Sequence, residues 1–407
     1  MERKPKDIIN ALSHGPVQRY ILENENKDLR DLILKNKVIL GIPTGQLIEQ
    51  IGTRKKAREK LPLYYQTPGI IFPPTASFEQ SSSEATAKFK SELISQFLNG
   101  KSASGADLTG GFGVDTYFLS KRFGKVHYVE PQATLLEIAR YDHHLLGANN
   151  IEYHAFTAGD FLAATRSSFD FVYVDPSRRT IDSKRVHALE DCQPDVLNLK
   201  AEIFKKTDLL VVKASPLLDI QAGMAQLSPV KKVFAVSVNN DCKELLFFCE
   251  KGFGGTTVVS AVNIPEGDDT QMFEFSFPEE RAQEIEYSDP LRYLYEPNAS
   301  ILKAGAFKSA AARFNLKKIQ VNTHLYTGED LVHNFPGRKF LIEELVKPAA
   351  LKKYFPDGKA NVTTRNYPLT PEALKKKTGL KDGGEKFLIG FSGEKKKFLA
   401  VARRLPD

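Results

Sequence analysis

The chain has 407 residues, too many for one ordinary hydrophobic core, so two or three domains are expected. Hydrophobic residues make up 42% and charged residues 26%, which excludes a disordered or fibrous chain, and no apolar run approaches the ~20 residues of a membrane span. Net charge is +7, unevenly spread: residues 286–407 hold 23 Lys/Arg against 13 Asp/Glu, an excess of +10 that leaves −3 for the remainder. A basic C-terminal third points to a polyanionic partner, although a solvated lysine-rich surface has the same composition.

The opening MERKPKDIINALSHG lacks the apolar core of a signal peptide. Apolar spacing in LRDLILK and QLIEQI predicts helices over residues 1–100, with no strand alternation before Gly69. RKKAREK (54–60) with Tyr64 and Tyr65 is a basic patch near aromatic rings, a mixture that suits nucleic acid and is equally common on an exposed helix face. After the proline-rich TPGIIFPPTASFEQ, a capping box at Ser81–Glu84 opens a helix whose Phe89, Leu93 and Phe97 share a face.

From residue 101 to about 275 the texture becomes short apolar strands alternating with helices. The strands are ADLT, VHYVE, IEYHAF, FDFVYVD, DLLVVKA and KKVFAVSV. This alternation predicts a doubly wound α/β domain with a parallel sheet and a ligand site beyond the strand carboxyl ends. ELLFFCEKG and TTVVSAVNI are expected to pair antiparallel around Gly252–Gly255. Residues 286–407 form a separate α+β domain with six strands, RYLYEP, KKIQVNTHLY, KFLIEELV, KANVTTRNYP, EKFLIGF and KKFLAVARR. Its helices are NASILKAGAFKSAAARF, PAALKKYF and TPEALKKKTGL. Cys192, Cys242 and Cys249 form no C-x-x-C pair and read as reduced thiols of a cytoplasmic protein; the histidines have no defensible ligand spacing, so no metal is expected.

The chemistry concentrates at strand ends. DLTGGFGVDT closes the first strand, where Gly110, Gly111 and Gly113 permit a tight turn and close approach of a ligand, between Asp107 and Thr109 on one side and Asp115 on the other. A dinucleotide fingerprint begun at Gly111 needs a third glycine where Thr116 stands, which disfavours pyrophosphate. Glu130-Pro131 ends the second strand, and a carboxylate there accepts ribose hydroxyls. Gly159-Asp160-Phe161 follows the third, offering Asp160 to an adenine amino group and Phe161 as an apolar wall. Asp175-Pro176 ends the fourth. Any one of these acids is well explained as a cap or turn residue; their recurrence after four successive strands is what points to a site.

Taken together, these motifs resemble the class I S-adenosylmethionine-dependent methyltransferases over roughly residues 80–265. The resemblance assigns S-adenosylmethionine to Asp107, Gly111, Gly113, Glu130 and Asp160, and the start of a catalytic loop to Asp175-Pro176. The flanks YLYEPNASILKAGAF, THLYTG, VTTRNYP and KDGGEKFLIGF resemble bacterial members with a THUMP-like C-terminal domain, which implies an RNA partner. Amino-group methyltransferases carry Asp-Pro-Pro-aromatic at this corner, whereas here Ser177-Arg178-Arg179 follows. An arginine there replaces the ring by stacking on a base or gripping a phosphate, or pairs with Asp182 or Glu190. Lys213 at the fifth strand and Arg365 in the last domain are further candidate substrate contacts, and Gln80–Ser83 is placed to cover the methionine end of the cofactor. The expected activity is methylation of a base nitrogen in ribosomal or transfer RNA. Two rivals are a cofactor-binding RNA-binding protein without turnover and a methyltransferase of a protein or small molecule.

Overall fold

The structure, a computed structural model, describes residues 4–28, 37–100, 103–178, 189–267 and 269–406. By backbone proximity it forms two compact units, Met1–Lys231 with Leu246–Gly254, and Lys232–Leu245 with Gly255–Asp407. Among the described residues no helix is long and apolar enough to cross a membrane.

The first unit opens with helices α1 (Pro5–Ser13), α2 (Gly15–Asn24), α3 (Thr44–Lys60) and α4 (Glu84–Phe97). The helix expected over LRDLILK lies outside the described residues. A two-strand ribbon, Val38–Ile39 against Ile42–Pro43, interrupts the helical run where no strand is expected; its turn at Leu40-Gly41 has φ of 50° and 77°. The start of α4 also differs from expectation. Ser83 is the cap, accepting from the Thr86 N–H at 3.3 Å, while Glu84 accepts from the Leu63 N–H at 2.8 Å. The buried face runs through Thr86, Ala87, Lys90, Leu93 and Ile94, so an interior stripe carries a lysine.

The α/β part then runs β1 (Ser104–Asp107), α5 (Val114–Ser120), β2 (Lys125–Val129), α6 (Ala133–Leu145), β3 (Ile151–His154), α7 (Ala158–Ala164), β4 (Phe171–Val174), α8 (Val196–Ile203), β5 (Leu209–Ala214) and α9 (Ile220–Leu227). These five strands lie in the order β3–β2–β1–β4–β5, and each adjacent pair is parallel. All four residues of β4 are buried, as a strand covered by helices on both faces must be, which is why it reads as a continuous apolar run. Strand order reverses between β1 and β4, and the crevice beyond the carboxyl ends at such a reversal is where ligands bind in open α/β sheets.

The second unit continues with β6 (Val230–Val238), β7 (Asp241–Glu250), β8 (Val258–Ile264) and β9 (Gln271–Phe275), in the order β9–β8–β6–β7; the second half of β7 belongs to the first unit. The expected pairing of β7 with β8 is therefore wrong, because β6 lies between them and pairs parallel with β8. Asn239 and Asn240, with φ of 50° and 63°, make the two-residue turn that folds β7 directly back on β6.

A seven-stranded sheet follows, built from β10 (Tyr293–Pro297), β11 (Lys317–Gln320), β12 (Thr323–Gly328), β13 (Gly337–Leu345), β14 (Asn361–Arg365), β15 (Lys386–Ser392) and β16 (Lys397–Arg404), in the order β11–β12–β10–β13–β16–β15–β14. Its longer helices are α10 (Ala299–Ala304), α11 (Phe307–Arg313) and α12 (Pro371–Thr378). Two single elements of the sequence reading split. KKIQVNTHLY is a hairpin, because Gln320 Oε1 accepts from the Asn322 and Thr323 N–H groups and closes the turn. NASILKAGAFKSAAARF is two helices parted at Gly305, whose φ is 80°. Gly337 is required by crowding, since a Cβ there would lie 2.1 Å from the Glu296 carbonyl oxygen.

Candidate active site

The three glycines between β1 and α5 serve different ends. A Cβ on Gly110 would meet the Tyr128 ring at 2.3 Å, and one on Gly113 would meet the His143 ring at 2.6 Å; Gly113 also has φ of 85°. Both are demanded by the packing of the turn itself. His143, fully buried, bonds the Gly113 carbonyl through Nε2 at 2.9 Å and Tyr153 through Nδ1 at 3.0 Å. Gly111 is different. Its φ is 53°, and a Cβ there would find nothing nearer than the Thr109 carbonyl at 3.8 Å, so open space faces this glycine alone of the three.

Beneath the turn, Asp107 is buried and internally satisfied. Oδ1 accepts from the Thr109 N–H (3.0 Å) and hydroxyl (3.3 Å), and Oδ2 from the Thr116 hydroxyl (2.6 Å). Burial pushes its carboxyl up to about 7, helped by the nearby Asp115 and Asp175 charges and opposed by the Thr116 and Thr109 hydrogen bonds. Asp107 therefore holds the turn rather than facing it. At the end of β2, Glu130 is 6% exposed; Oε2 accepts from the Gly111 N–H at 3.0 Å and Oε1 from the Gln132 N–H at 2.8 Å. Each oxygen keeps a lone pair for a further donor. Burial raises this carboxyl above its ordinary range against those two bonds. Pro131 is exposed beside it.

After β3 the two expected residues separate. Asp160 is exposed and shares a capping interaction with Thr157, whose hydroxyl donates to Asp160 Oδ2 at 2.7 Å. Phe161 is 3% exposed, with its ring against His127, His154 and Phe169. Its ring is taken up between α7 and the side chains of β2 and β3. Phe156, 44% exposed just past the end of β3, presents the open ring at this edge, and the sequence reading passed over it because it stands outside any motif.

The corner at Asp175 is the most heavily connected. Its N–H donates to the Thr109 hydroxyl at 2.7 Å, and Lys213 donates to Oδ2 at 2.5 Å. Lys213 also reaches Ser82 Oγ at 3.4 Å, and Ser82 donates to Asp115 Oδ2 at 2.7 Å. Lys90, 2% exposed, donates to Ser82 at 3.0 Å and lies 3.2 Å from Asp115 Oδ1; the Tyr173 hydroxyl donates to Asp115 at 3.0 Å. Burial works against the Asp115 charge, yet Lys90 and Lys213 together hold its carboxyl below the ordinary value. Two ion pairs, Lys90–Asp115 and Lys213–Asp175, meet through the Ser82 hydroxyl and so link α4, α5, β4 and β5 at the strand ends.

Ser177 is exposed, and with the Arg178 backbone it bridges Cys192-Gln193. The Arg178 side chain, Arg179 and Asp182 lie outside the described residues, while Glu190 accepts from Gln226 at 3.1 Å. Three other expected contacts have internal partners. Arg365 pairs with Glu296 and donates to the Thr364 carbonyl. In the patch at 54–60, Arg54 pairs with Glu25 at 3.1 Å and lies over Tyr65, and Lys60 donates to the Phe78 carbonyl at 2.7 Å. Tyr64 is completely buried, so it has no face for a base. Lys90 escaped the sequence reading because it sits one turn from Thr86 and Ile94 on a face otherwise uncharged; that position, a lone lysine in the buried stripe of a helix, was the available signal.

Family models match two adjoining stretches: residues 293–336 a ferredoxin-like domain and residues 337–404 a THUMP domain-like family. Among solved structures, the chain is similar over its whole length to a "putative methyltransferase from Porphyromonas gingivalis W83", with 30% identity, a TM-score of 0.86 and 100% of both chains covered. A "putative RNA methyltransferase" of Pyrococcus horikoshii aligns at 15% identity and a TM-score of 0.34, over 47% of this chain and 98% of its own. An rRNA methylase of Streptococcus thermophilus aligns at 17% and 0.31, over 40% of this chain and 94% of its own. No curated protein matches the sequence.

Proposed function

This chain belongs to the class I methyltransferases that carry a THUMP-like C-terminal domain, and from that premise we propose that it methylates RNA, with S-adenosylmethionine as donor. The observation that carries the reading is the set of groups at the β1/β4 reversal: the open side of Gly111, the Glu130 carboxylate and the ion-pair chain from Lys90 to Asp175. These residues fit the cofactor. Glu130 retains lone pairs for ribose hydroxyls, the exposed Phe156 offers a face to the adenine and Asp160 an acceptor for its amino group. The alternating Lys90, Asp115 and Lys213 charges suit a zwitterionic amino-acid end, with Ser82 at their centre. When bound, S-adenosylmethionine supplies a methyl group on a sulfonium, open to in-line attack.

The residues of the chain then have to orient a nucleophile and receive its proton. Asp175, anchored by Thr109 through its N–H and by Lys213 through Oδ2, is the acceptor at this corner; a nitrogen that gains the methyl loses a proton toward it. Residues 101–275 are the catalytic part in this reading and 286–407, with their +10 excess, the RNA-holding part. The three reduced cysteines suit the cytoplasm, where RNA substrates are found.

Two observations favour a second reading, a cofactor-binding RNA-binding protein without turnover. Lys213 already occupies Asp175 Oδ2, and exposed Ser177 stands where related loops place a ring. Labelled methyl transfer from S-adenosylmethionine to bulk RNA decides between them. Transfer that nuclease treatment releases and Asp175→Ala abolishes supports the enzyme; tight cofactor binding without transfer supports the second reading, and absence of any cofactor binding by calorimetry overturns both.

A further inference from the structure

Strands β2 and β3 bring together three side chains that have no part in the site above. Parallel register sets His127 opposite Glu152 and Val129 opposite His154. Side chains two apart on a strand share a face, so His127, Glu152 and His154 all point to one side of the sheet. His127 Nδ1 lies 3.0 Å from His154 Nε2. The Glu152 carboxylate closes the triangle, with one oxygen 3.8 Å from His127 Nδ1 and the other 3.6 Å from His154 Nε2. Among the described residues no other group of His, Cys, Asp and Glu converges in this way, with all ligand atoms within 4.8 Å of one another.

The surroundings are those of a built site. Phe161 and Phe169 wall the two imidazoles, with centroids 4.8 Å from His154 and 5.1 Å from His127. His127 is buried, and the Glu152 side chain is 46% exposed, so the triangle opens to water on its carboxylate side. Two imidazole nitrogens on one tetrahedral zinc, at bonds of about 2.0–2.1 Å, stand roughly 3.3 Å apart. The separation here is only slightly shorter, so a cation replaces the shared hydrogen bond with little movement. Lys125 donates to Glu152 at 2.5 Å and is the competitor that an ion displaces.

We propose that His127, His154 and Glu152 form a binding site for a divalent first-row transition ion, zinc by preference, with water completing the coordination. Two imidazoles and a carboxylate suit zinc, nickel or copper and disfavour magnesium and calcium, which take oxygen ligands. The ion staples edge strand β3 to β2. The His154 carbonyl accepts from the Glu130 N–H at 3.1 Å, so the same staple holds the strand end beside the ribose-binding carboxylate. This inference goes beyond the proposed methyl transfer and does not depend on it.

Untagged full-length protein, stripped by chelator, is titrated with zinc by calorimetry and with cobalt by visible absorption. One equivalent is expected, with ligand-field bands for cobalt and a rise in Tm for zinc. His154→Ala and Glu152→Gln should weaken binding by about tenfold or more and remove the rise in Tm, whereas His144→Ala, at an exposed histidine outside the triangle, should bind as the parent does. Because His127 is buried, its removal tests folding as well as ligation, so the other two variants carry the result. Absence of stoichiometric binding in the parent, or equal binding in His154→Ala, overturns the proposal and leaves a hydrogen-bonded histidine pair.

Discussion

Two partly buried charge clusters, one in each unit, differ in where the fold puts them. In the first unit Lys90, Asp115, Ser82, Lys213 and Asp175 gather at strand ends, tied to the turn after β1 by the Asp175 N–H on the Thr109 hydroxyl. In the second, Glu296 is 5% exposed and is gripped by Arg338, at 2.7 Å through Nε, and by Arg365. Both clusters neutralise charges that would be costly to bury alone. The second lies between neighbouring strands, β10 and β13, with an arginine from β14; the first lines the rim where a sheet of this topology binds its ligand. Arg365, a candidate RNA contact by sequence, is paired with Glu296, and Lys90, which looks like part of a helix core, lies at the rim of the proposed site.

Substitutions can break or sharpen this contrast. The largest effect is expected for Asp175→Ala, which should lower methyl transfer to RNA by about 100-fold or more per folded molecule, beyond any loss of stability from leaving Lys213 without its anion, while the far-UV spectrum stays close to the parent's. Unchanged transfer would move the first cluster into the same structural class as the second. Next comes Glu296→Gln, which leaves Arg338 and Arg365 without their anion. Because those arginines are partly exposed, a loss of about 2 kcal/mol in urea unfolding is expected, with turnover per folded molecule preserved. Phe156→Ala should weaken S-adenosylmethionine binding by about three- to tenfold, the scale of one lost aromatic stack, as calorimetry would read; Phe161→Leu, inside the core, should change stability before affinity.

A further expected effect concerns pH. Burial raises the Asp107 carboxyl to about 7, so the folded chain keeps this proton between about pH 4 and 7, where the unfolded chain has already lost it. The stability this proton supplies is complete below about pH 4 and is lost as pH rises through 7. Asp107→Asn should therefore flatten the decline in Tm between pH 5 and 8. A slope identical to the parent's would show that Asp107 ionises normally beneath the glycine turn.

Much of this was legible in the residues themselves. Alternating apolar runs and helical periods marked the parallel strands, glycines marked the turn after β1, and acids after successive strands marked the edge proposed to carry the site, because backbone sterics and side-chain period act over a few neighbouring residues. Partners across the chain were not legible. Lys213 meets Asp175, Lys90 meets Asp115 and Glu152 falls opposite His127 only once strand order and register are set. Tertiary packing likewise turned Phe161 inward and left Phe156 outside, and put β6 between β7 and β8. Local pattern determines which face a residue takes and where a strand ends. Which distant side chain neutralises a buried charge depends on how whole elements stack, a long-range choice made jointly by the cost of desolvation and the geometry of the sheet.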